Sequence, residues 1–236
     1  MKIRFLGTWS SNSVKGQRNV SFLLDDKMVF DFGPHSVEAL LDIGVDPDSI
    51  EKVFITHMHL DHFSGIPELM WYRAIYHAKE PLILVGPKGI KKSTETLLKT
   101  LNTPAAFDVK IQYIEERDFD SVQRFRADHI IPDNGYRIEY RGKTIFYSGD
   151  TAYSENVVKG AESADYLIHE MTYIDARKKD ADFWKHSTYS SALRVFRESG
   201  AKHLIPVHLT TDSSSHVLKM EKRIPGLLYP RSSIVI

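Results

Sequence analysis

Within six consecutive positions the chain places three imidazoles and a carboxylate: His57, His59, Asp61 and His62, in "FITHMHLDHFSG". His57 and His59 are two residues apart, so in extended backbone their side chains project to the same side. Asp61 and His62 follow where the chain is expected to turn, before "GIPEL" opens a helix. Imidazole and carboxylate are the donors of zinc sites, and they also suit manganese and iron. There is no cysteine, which excludes a thiolate site and a disulfide framework. A polar surface turn explains any one of these residues, but a metal loop better explains four of them together. The chain has neither GxGxxG nor GxxxxGK[ST], so hydrolysis by metal-activated water is the chemistry such a loop suggests.

The elements that must position this loop are legible as alternating runs. "KIRFLG", "VSFLLD" and "KMVFDFG" read as strands, with Asp25 and Asp26 marking a hairpin turn between the last two. "HSVEALLDIG" has helical spacing with Gly44 as its stop, and "EKVFITH" is expected to be a buried strand ending at His57. A helix over "GIPELMWYRAIYH", the strand "PLILVG" and a helix over "KGIKKSTETLLKTL" follow. The second half offers the strands "VKIQYIE", "QRFRADHII", "YRIEYRG" and "KTIFYSGD", the last two joined at Arg141-Gly142. A helix near 154–161, the strand "ADYLIHE", a helix over 187–199, the strand "KHLIPVH" and a terminal "SSIVI" complete the chain. Two sheets packed face to face with helices outside, an α/β arrangement, is the expected outcome.

Composition narrows the function classes. Lys plus Arg and Asp plus Glu both number 31, so no global field draws the chain to nucleic acid or an anionic membrane. No run approaches the ~18 apolar residues of a membrane span, and the opening "MKIRFLGTWS" lacks an apolar signal-peptide core. With no repeat or linker, one domain over 1–236 and a cytoplasmic location are expected.

His57-X-His59-X-Asp61-His62 resembles the signature of the metallo-β-lactamase-fold hydrolases. The resemblance implies an αββα four-layer sandwich of two mixed β-sheets flanked by helices, holding two metals at one edge. It also implies a further histidine, a bridging aspartate and a final histidine, each at the end of a later strand. His129 after "QRFRAD", Asp150 closing "KTIFYSGDT" and His208 ending "KHLIPVHL" stand where these are needed. By this resemblance His57, His59 and His129 hold one divalent ion. Asp61, His62 and His208 hold the other, with Asp150 bridging. Zinc is the first expectation, with Mn2+ or Fe2+ as alternatives. Asp61 would also orient the attacking water.

The finer likeness is to the ribonuclease Z-like branch, carried by six motifs over nearly the whole chain. Among them are "FLGTWSSNSVKGQRNVSFLL", "HIIPDNGYRIEY", "LIHEMTY" and "KHSTYSSALRVFRESGAKHLIPVH". This likeness makes His186 the acid that supplies a proton to the departing oxygen, or a stabiliser of the phosphoryl oxygens. It makes Glu170 the group that fixes the orientation and tautomer of His186. His169 would support the site, while His35, His77, His203 and His216 read as structural or exposed. Two departures limit the likeness: Trp9 replaces a glycine, and "GYRIEYRGKTIFYSGDT" has no room for the Gly/Pro-rich arm with which ribonuclease Z grips tRNA. A phosphodiester substrate, nucleotide or RNA, is therefore expected without commitment to tRNA. Hydrolysis of a lactone or thioester on the same fold, and a metal-bound sensor without turnover, are the competing readings. No membrane partner is expected, and relatives of this type suggest a homodimer. Met70, Trp71, Tyr72, Tyr76 and His77 read as a helix's core face or a dimer seam, ahead of a substrate pocket. Lys88, Lys91 and Lys92 read as a solvated helix face.

Overall fold

Three phenylalanines, Phe22, Phe30 and Phe54, stack across adjacent strands with ring centroids 4.8 and 4.9 Å apart and planes within 11° of parallel. Each is fully buried and occurs in a run where alternate residues must face opposite ways. Their neighbours Leu23, Val29 and Val53 point into the other face, a core shared with Leu40, Ile66, Leu69 and Leu84. Both faces of this sheet are thus apolar in sequence, which is why its strands read as near-continuous hydrophobic runs.

The computed structural model describes residues 2–12 and 14–235. Ser13, inside the opening motif, and Ile236, the last residue of the expected terminal strand, lie outside them. The chain divides into two compact units, one of residues 2–7, 14–116 and 232–235, the other of 8–12 and 117–231.

The first unit contains β1 (Lys2–Gly7), β2 (Ser21–Leu24), β3 (Met28–Phe30), α1 (Ser36–Asp42), β4 (Lys52–Phe54), α2 (Leu60–Phe63), α3 (Ile66–Ile75), β5 (Leu82–Gly86), α4 (Ile90–Thr100) and β6 (Ile111–Glu115). Its sheet also takes in β12 (Ser233–Val235), in the order β12-β1-β2-β3-β4-β5-β6. Pairing is antiparallel from β12 to β3 and parallel from β3 to β6. The β2–β3 hairpin turns over three residues, Asp25, Asp26 and Lys27, with both aspartates at positive φ, a region aspartate tolerates better than most residues. β4 stops at Phe54, three residues short of the expected His57. Ile55 still bonds Val85, but Thr56 turns its amide to a side chain instead of a neighbouring strand.

The second unit contains β7 (Val122–Arg126), β8 (Asn134–Tyr140), β9 (Lys143–Tyr147), α5 (Glu155–Gly160), β10 (Tyr166–Glu170), α6 (Lys178–Trp184), α7 (Tyr189–Ser199), β11 (His203–Val207) and α8 (Thr211–Met220). The sheet runs β11-β10-β9-β8-β7, parallel over β9–β11 and antiparallel over β7–β9. β8 and β9 are joined by Arg141 and Gly142 alone, both at positive φ, so no arm leaves between them. β7 ends at Arg126, before the expected Ile131. α6 and α8 were not expected: α6 buries only Ala181, and α8 opens on a Ser/Thr-rich turn of low helix propensity. A capping box between Thr210 and Ser213 starts α8, as one between Thr188 and Ser191 starts α7. Among the described residues no helix is long and apolar enough to cross a membrane.

Candidate metal centre

In the first unit the metal loop is tied to the end of β3. Asp31 is fully buried and left-handed at φ 57°, a conformation aspartate tolerates better than most residues. Its Oδ1 accepts from Thr56 N at 2.8 Å, and its carboxylate accepts from Thr56 Oγ1 at 3.0 Å. Its Oδ2 accepts from His62 Nδ1 at 2.8 Å. The single Thr56 hydroxyl proton is engaged by Asp31, so across the 3.0 Å contact with His57 Nδ1 the hydroxyl oxygen accepts. His57 and His62 are thereby held as Nδ1–H tautomers with the basic lone pair on Nε2. His57 Nε2 lies 2.9 Å from His59 Nδ1, a separation compatible with two nitrogens each about 2.0–2.1 Å from one zinc ion. His62 Nε2 lies 3.5 Å from Asp61 Oδ2.

The backbone completes the latch. Phe32 N donates to His62 O at 2.7 Å and Gly65 N to Phe32 O at 2.9 Å. A Cβ on Gly33 would sit 1.9 Å from Asp61 O, so only glycine lets this segment pass the loop.

The second unit repeats the device with Glu170, at the end of β10. This carboxylate is 1% exposed. Its Oε2 accepts from Thr172 Oγ1 at 2.7 Å, and its Oε1 from Thr151 N at 2.9 Å and His186 Nδ1 at 2.8 Å. Thr172 Oγ1 in turn accepts from His208 Nδ1 at 2.8 Å, leaving the lone pair of His208 on Nε2, 3.4 Å from Asp150 Oδ2. His129 Nδ1 donates to Lys185 O at 3.1 Å, again leaving Nε2 basic. Lys185 and His208 are both left-handed, at φ 56° and 55°, strained positions of the sort that gather at functional sites. Asp150 is aimed by its own amide, which donates to Asp133 Oδ2 at 3.1 Å. His186 stacks on His208 with centroids 5.2 Å apart, and its Nδ1 lies 3.8 Å from Asp150 Oδ2.

Electrostatics agree with these roles. Burial pushes the His129 imidazole below its ordinary value, which favours the neutral form that metal ligation requires. Burial alone would raise the Glu170 carboxyl, but the charge and hydrogen bond of His186 outweigh it and hold the carboxyl below the usual glutamate range. His169 is fully buried, donates from Nδ1 to Glu170 O at 2.7 Å, and is pushed down by burial.

Each unit thus gathers the candidate residues that it contains: His57, His59, Asp61 and His62 in the first, and His129, Asp150, Glu170, His186 and His208 in the second. Four of the five candidate ligand imidazoles, those of His57, His62, His129 and His208, have Nδ1–H committed and Nε2 basic, as donation to a divalent ion requires. His35, His77, His203 and His216 lie elsewhere. His203 stacks on Tyr166 and His216 on the edge of Tyr189. Sequence reading missed Asp31, Thr56, Asp133 and Thr172. The available signals were a carboxylate breaking the apolar run "VFDFG", and threonines beside His57 and Glu170. On α3, Leu69 and Met70 are buried, and Trp71 donates to Thr103 Oγ1 at 2.9 Å, so that much of the aromatic helix packs into its own unit.

Residues 30–209 match the Beta-lactamase superfamily domain, and the chain belongs to this superfamily. Its two mixed sheets with flanking helices are the α/β sandwich fold of that class. Among individual proteins, the chain is 28% identical to Ribonuclease Z from Geobacillus kaustophilus, covering 89% of both chains. That alignment spans 273 positions although the chain has 236 residues, so the relative carries inserted segments absent here. Human tRNase Z, short form, superposes with a TM-score of 0.83 at 25% identity, over 100% of this chain and 99% of that one. The metallo-beta-lactamase fold protein YhfI from Bacillus subtilis shares the fold with a TM-score of 0.81 at 19% identity, over 99% of this chain and 97% of that one.

Proposed function

We propose that this chain is a dinuclear metal-dependent phosphodiesterase of the ribonuclease Z type, its two units being halves of a single hydrolase domain over 1–236. His57, His59 and His129 would hold one ion, and Asp61, His62 and His208 the other, with Asp150 bridging. Zinc is the ion proposed, ahead of manganese or iron. When bound, such ions supply Lewis-acid activation of water and of the phosphoryl oxygens.

The chain's own groups do the rest. Asp61 accepts a hydrogen bond from the attacking water and so fixes its direction. His186, gripped at Nδ1 by Glu170, presents Nε2 outward. Protonated there, it passes its proton to the departing oxygen, while the Glu170 carboxylate stabilises the imidazolium. The observation that carries this reading is the 2.8 Å contact between Glu170 and His186, beside Asp150 and His208. It equips the metal residues with a proton donor for a departing oxygen, which a sensor without turnover has no use for. The relatives named Ribonuclease Z support the phosphodiester class. The two-residue turn at Arg141-Gly142 supports a nucleotide or RNA end in place of a whole gripped tRNA. A cytoplasmic location and pairing with a second copy complete the proposal, the latter checked by light scattering.

Purified protein with added Zn2+ or Mn2+ should hydrolyse bis(p-nitrophenyl) phosphate, and Asp61→Ala should lose most of that rate. A lactone or thioester consumed in parallel while the diester is untouched would move the chain to the other hydrolase class. Absence of turnover with every divalent ion tried would overturn the reading.

A further inference from the structure

α6 buries only Ala181, and its last two residues, Phe183 and Trp184, are exposed. The end of the helix that leads to His186 therefore faces solvent, and the next residue ties it down with polar contacts. Lys185 grips two consecutive residues of the segment after β7. Its carbonyl accepts from His129 Nδ1 at 3.1 Å, and its ammonium pairs with Asp128 Oδ2 at 3.2 Å. Asp128 is itself fixed by its backbone: its amide donates to Thr151 Oγ1 at 3.1 Å, and its carbonyl accepts from Ala152 N at 2.9 Å. On the far side of His186, Ser187 Oγ donates to Thr151 O at 2.8 Å. The turn that carries His186 is thus pinned before and after it, and the His186 and His129 rings come to lie 5.1 Å apart.

The stability that Lys185 contributes does not account for a lysine at this position. At φ 56° and ψ 50° it is left-handed, a conformation that glycine adopts without the steric cost a lysine meets. The ion pair has side chains 44% and 47% exposed, so solvent screens it and it returns little. What the lysine adds over glycine is a second tether, placed on the residue beside a candidate ligand and one residue before the proton donor.

We propose that Lys185 is a positioning residue of the metal centre. Its carbonyl fixes the tautomer of His129, and its ammonium, acting through Asp128, sets the placement of His129 relative to His186. The part that concerns His186 rests on the phosphodiesterase reading; the part that concerns His129 needs only a bound ion.

Zinc competition against a chelator, kinetics on bis(p-nitrophenyl) phosphate and urea unfolding of chelator-treated protein test it together. Lys185→Asn removes the ammonium and keeps a residue that tolerates the left-handed backbone. Asp128→Asn removes the other half of the pair. Each should weaken zinc binding about fivefold and lower kcat by a similar factor with KM unchanged. The double variant should lose no more than either single one. Lys185→Arg should keep native values. Lys185→Val, whose branched side chain resists the left-handed backbone, should turn the carbonyl away from His129 and weaken zinc about 10–100-fold. Unfolding of the chelator-treated Lys185→Asn protein should match that of the native protein. Native zinc affinity in Lys185→Asn and Lys185→Val would overturn the proposal. So would additive losses in the double variant, or a loss of chelator-treated stability without a loss of zinc affinity. Diester turnover accompanied by such a result leaves the functional reading standing without the positioning role. The expected order of zinc affinities with no turnover of any diester supports the hold on His129 and removes the functional reading.

Discussion

Asp31 in the first unit and Glu170 in the second do the same job with different outcomes. Each is a buried carboxylate at a strand end that takes a threonine hydroxyl proton, and that threonine oxygen then accepts from a histidine Nδ1. Each also accepts directly from a second histidine, at 2.8 Å in both cases. In the first unit the second histidine is His62, fully buried and a candidate ligand. In the second it is His186, whose side chain is 14% exposed and which stands outside the proposed ligand set. Under the proposed function, the same local arrangement would serve a purely metal-holding half and a half that also handles a proton. What separates them is whether the second imidazole can reach solvent and substrate.

That contrast can be broken experimentally, and the largest effect should fall on the second unit. His186→Ala and Glu170→Gln should each lower kcat by about 10²–10⁴-fold with metal content nearly intact, measured by diester turnover alongside metal analysis. If either variant instead arrives without metal, His186 or Glu170 belongs with the ligand-holding groups and the two halves are alike.

Asp31→Ala should act the other way. It strips the acceptor from Thr56 N, Thr56 Oγ1 and His62 Nδ1, so metal affinity should fall by about 10–100-fold. Stability should drop by roughly 3 kcal/mol, read from zinc titration and urea unfolding. A variant that keeps its metal and loses only turnover would collapse the distinction. A smaller and deliberately symmetrical pair is Thr56→Val and Thr172→Val, each expected to weaken metal binding about tenfold by freeing the tautomer of His57 or His208. Unequal losses would show which half holds its ion more tightly.

The smallest effect concerns acid. Glu170 is held below the usual carboxylate range, so its stabilisation is present above the unfolded glutamate value, about 4.3, and is lost as pH falls through the lower folded value. In protein treated with chelator, Glu170→Gln should flatten the acid limb of the stability curve below about pH 4. An acid limb identical to that of the native protein would mean that the His186 contact does not hold the carboxyl down.

Legibility in the sequence followed distance along the chain. The hairpin at Asp25-Asp26, the turn at Arg141-Gly142 and the helices α1, α3, α4 and α7 rest on local turn chemistry and apolar spacing, and all were readable. α8 was not: its first turn is Ser/Thr-rich, and its stability comes from a cap and from Val217, buried against its own unit. The pairing of β12 with β1 joins residues 233–235 to residues 2–4, which no local pattern can announce.

The sequence by itself determined the donors: three imidazoles and a carboxylate in six positions, with further histidines and acids at recognisable strand ends. Side-chain chemistry belongs to the residue and needs no neighbour to be stated. Only the tertiary structure decided how those donors are aimed. An imidazole has two nitrogens, and which one carries the proton is set by the group opposite it. For His57, His62, His129 and His208 those groups are Thr56, Asp31, the Lys185 carbonyl and Thr172. Three of the four are brought into place by folding across sequence separations of 31, 56 and 36.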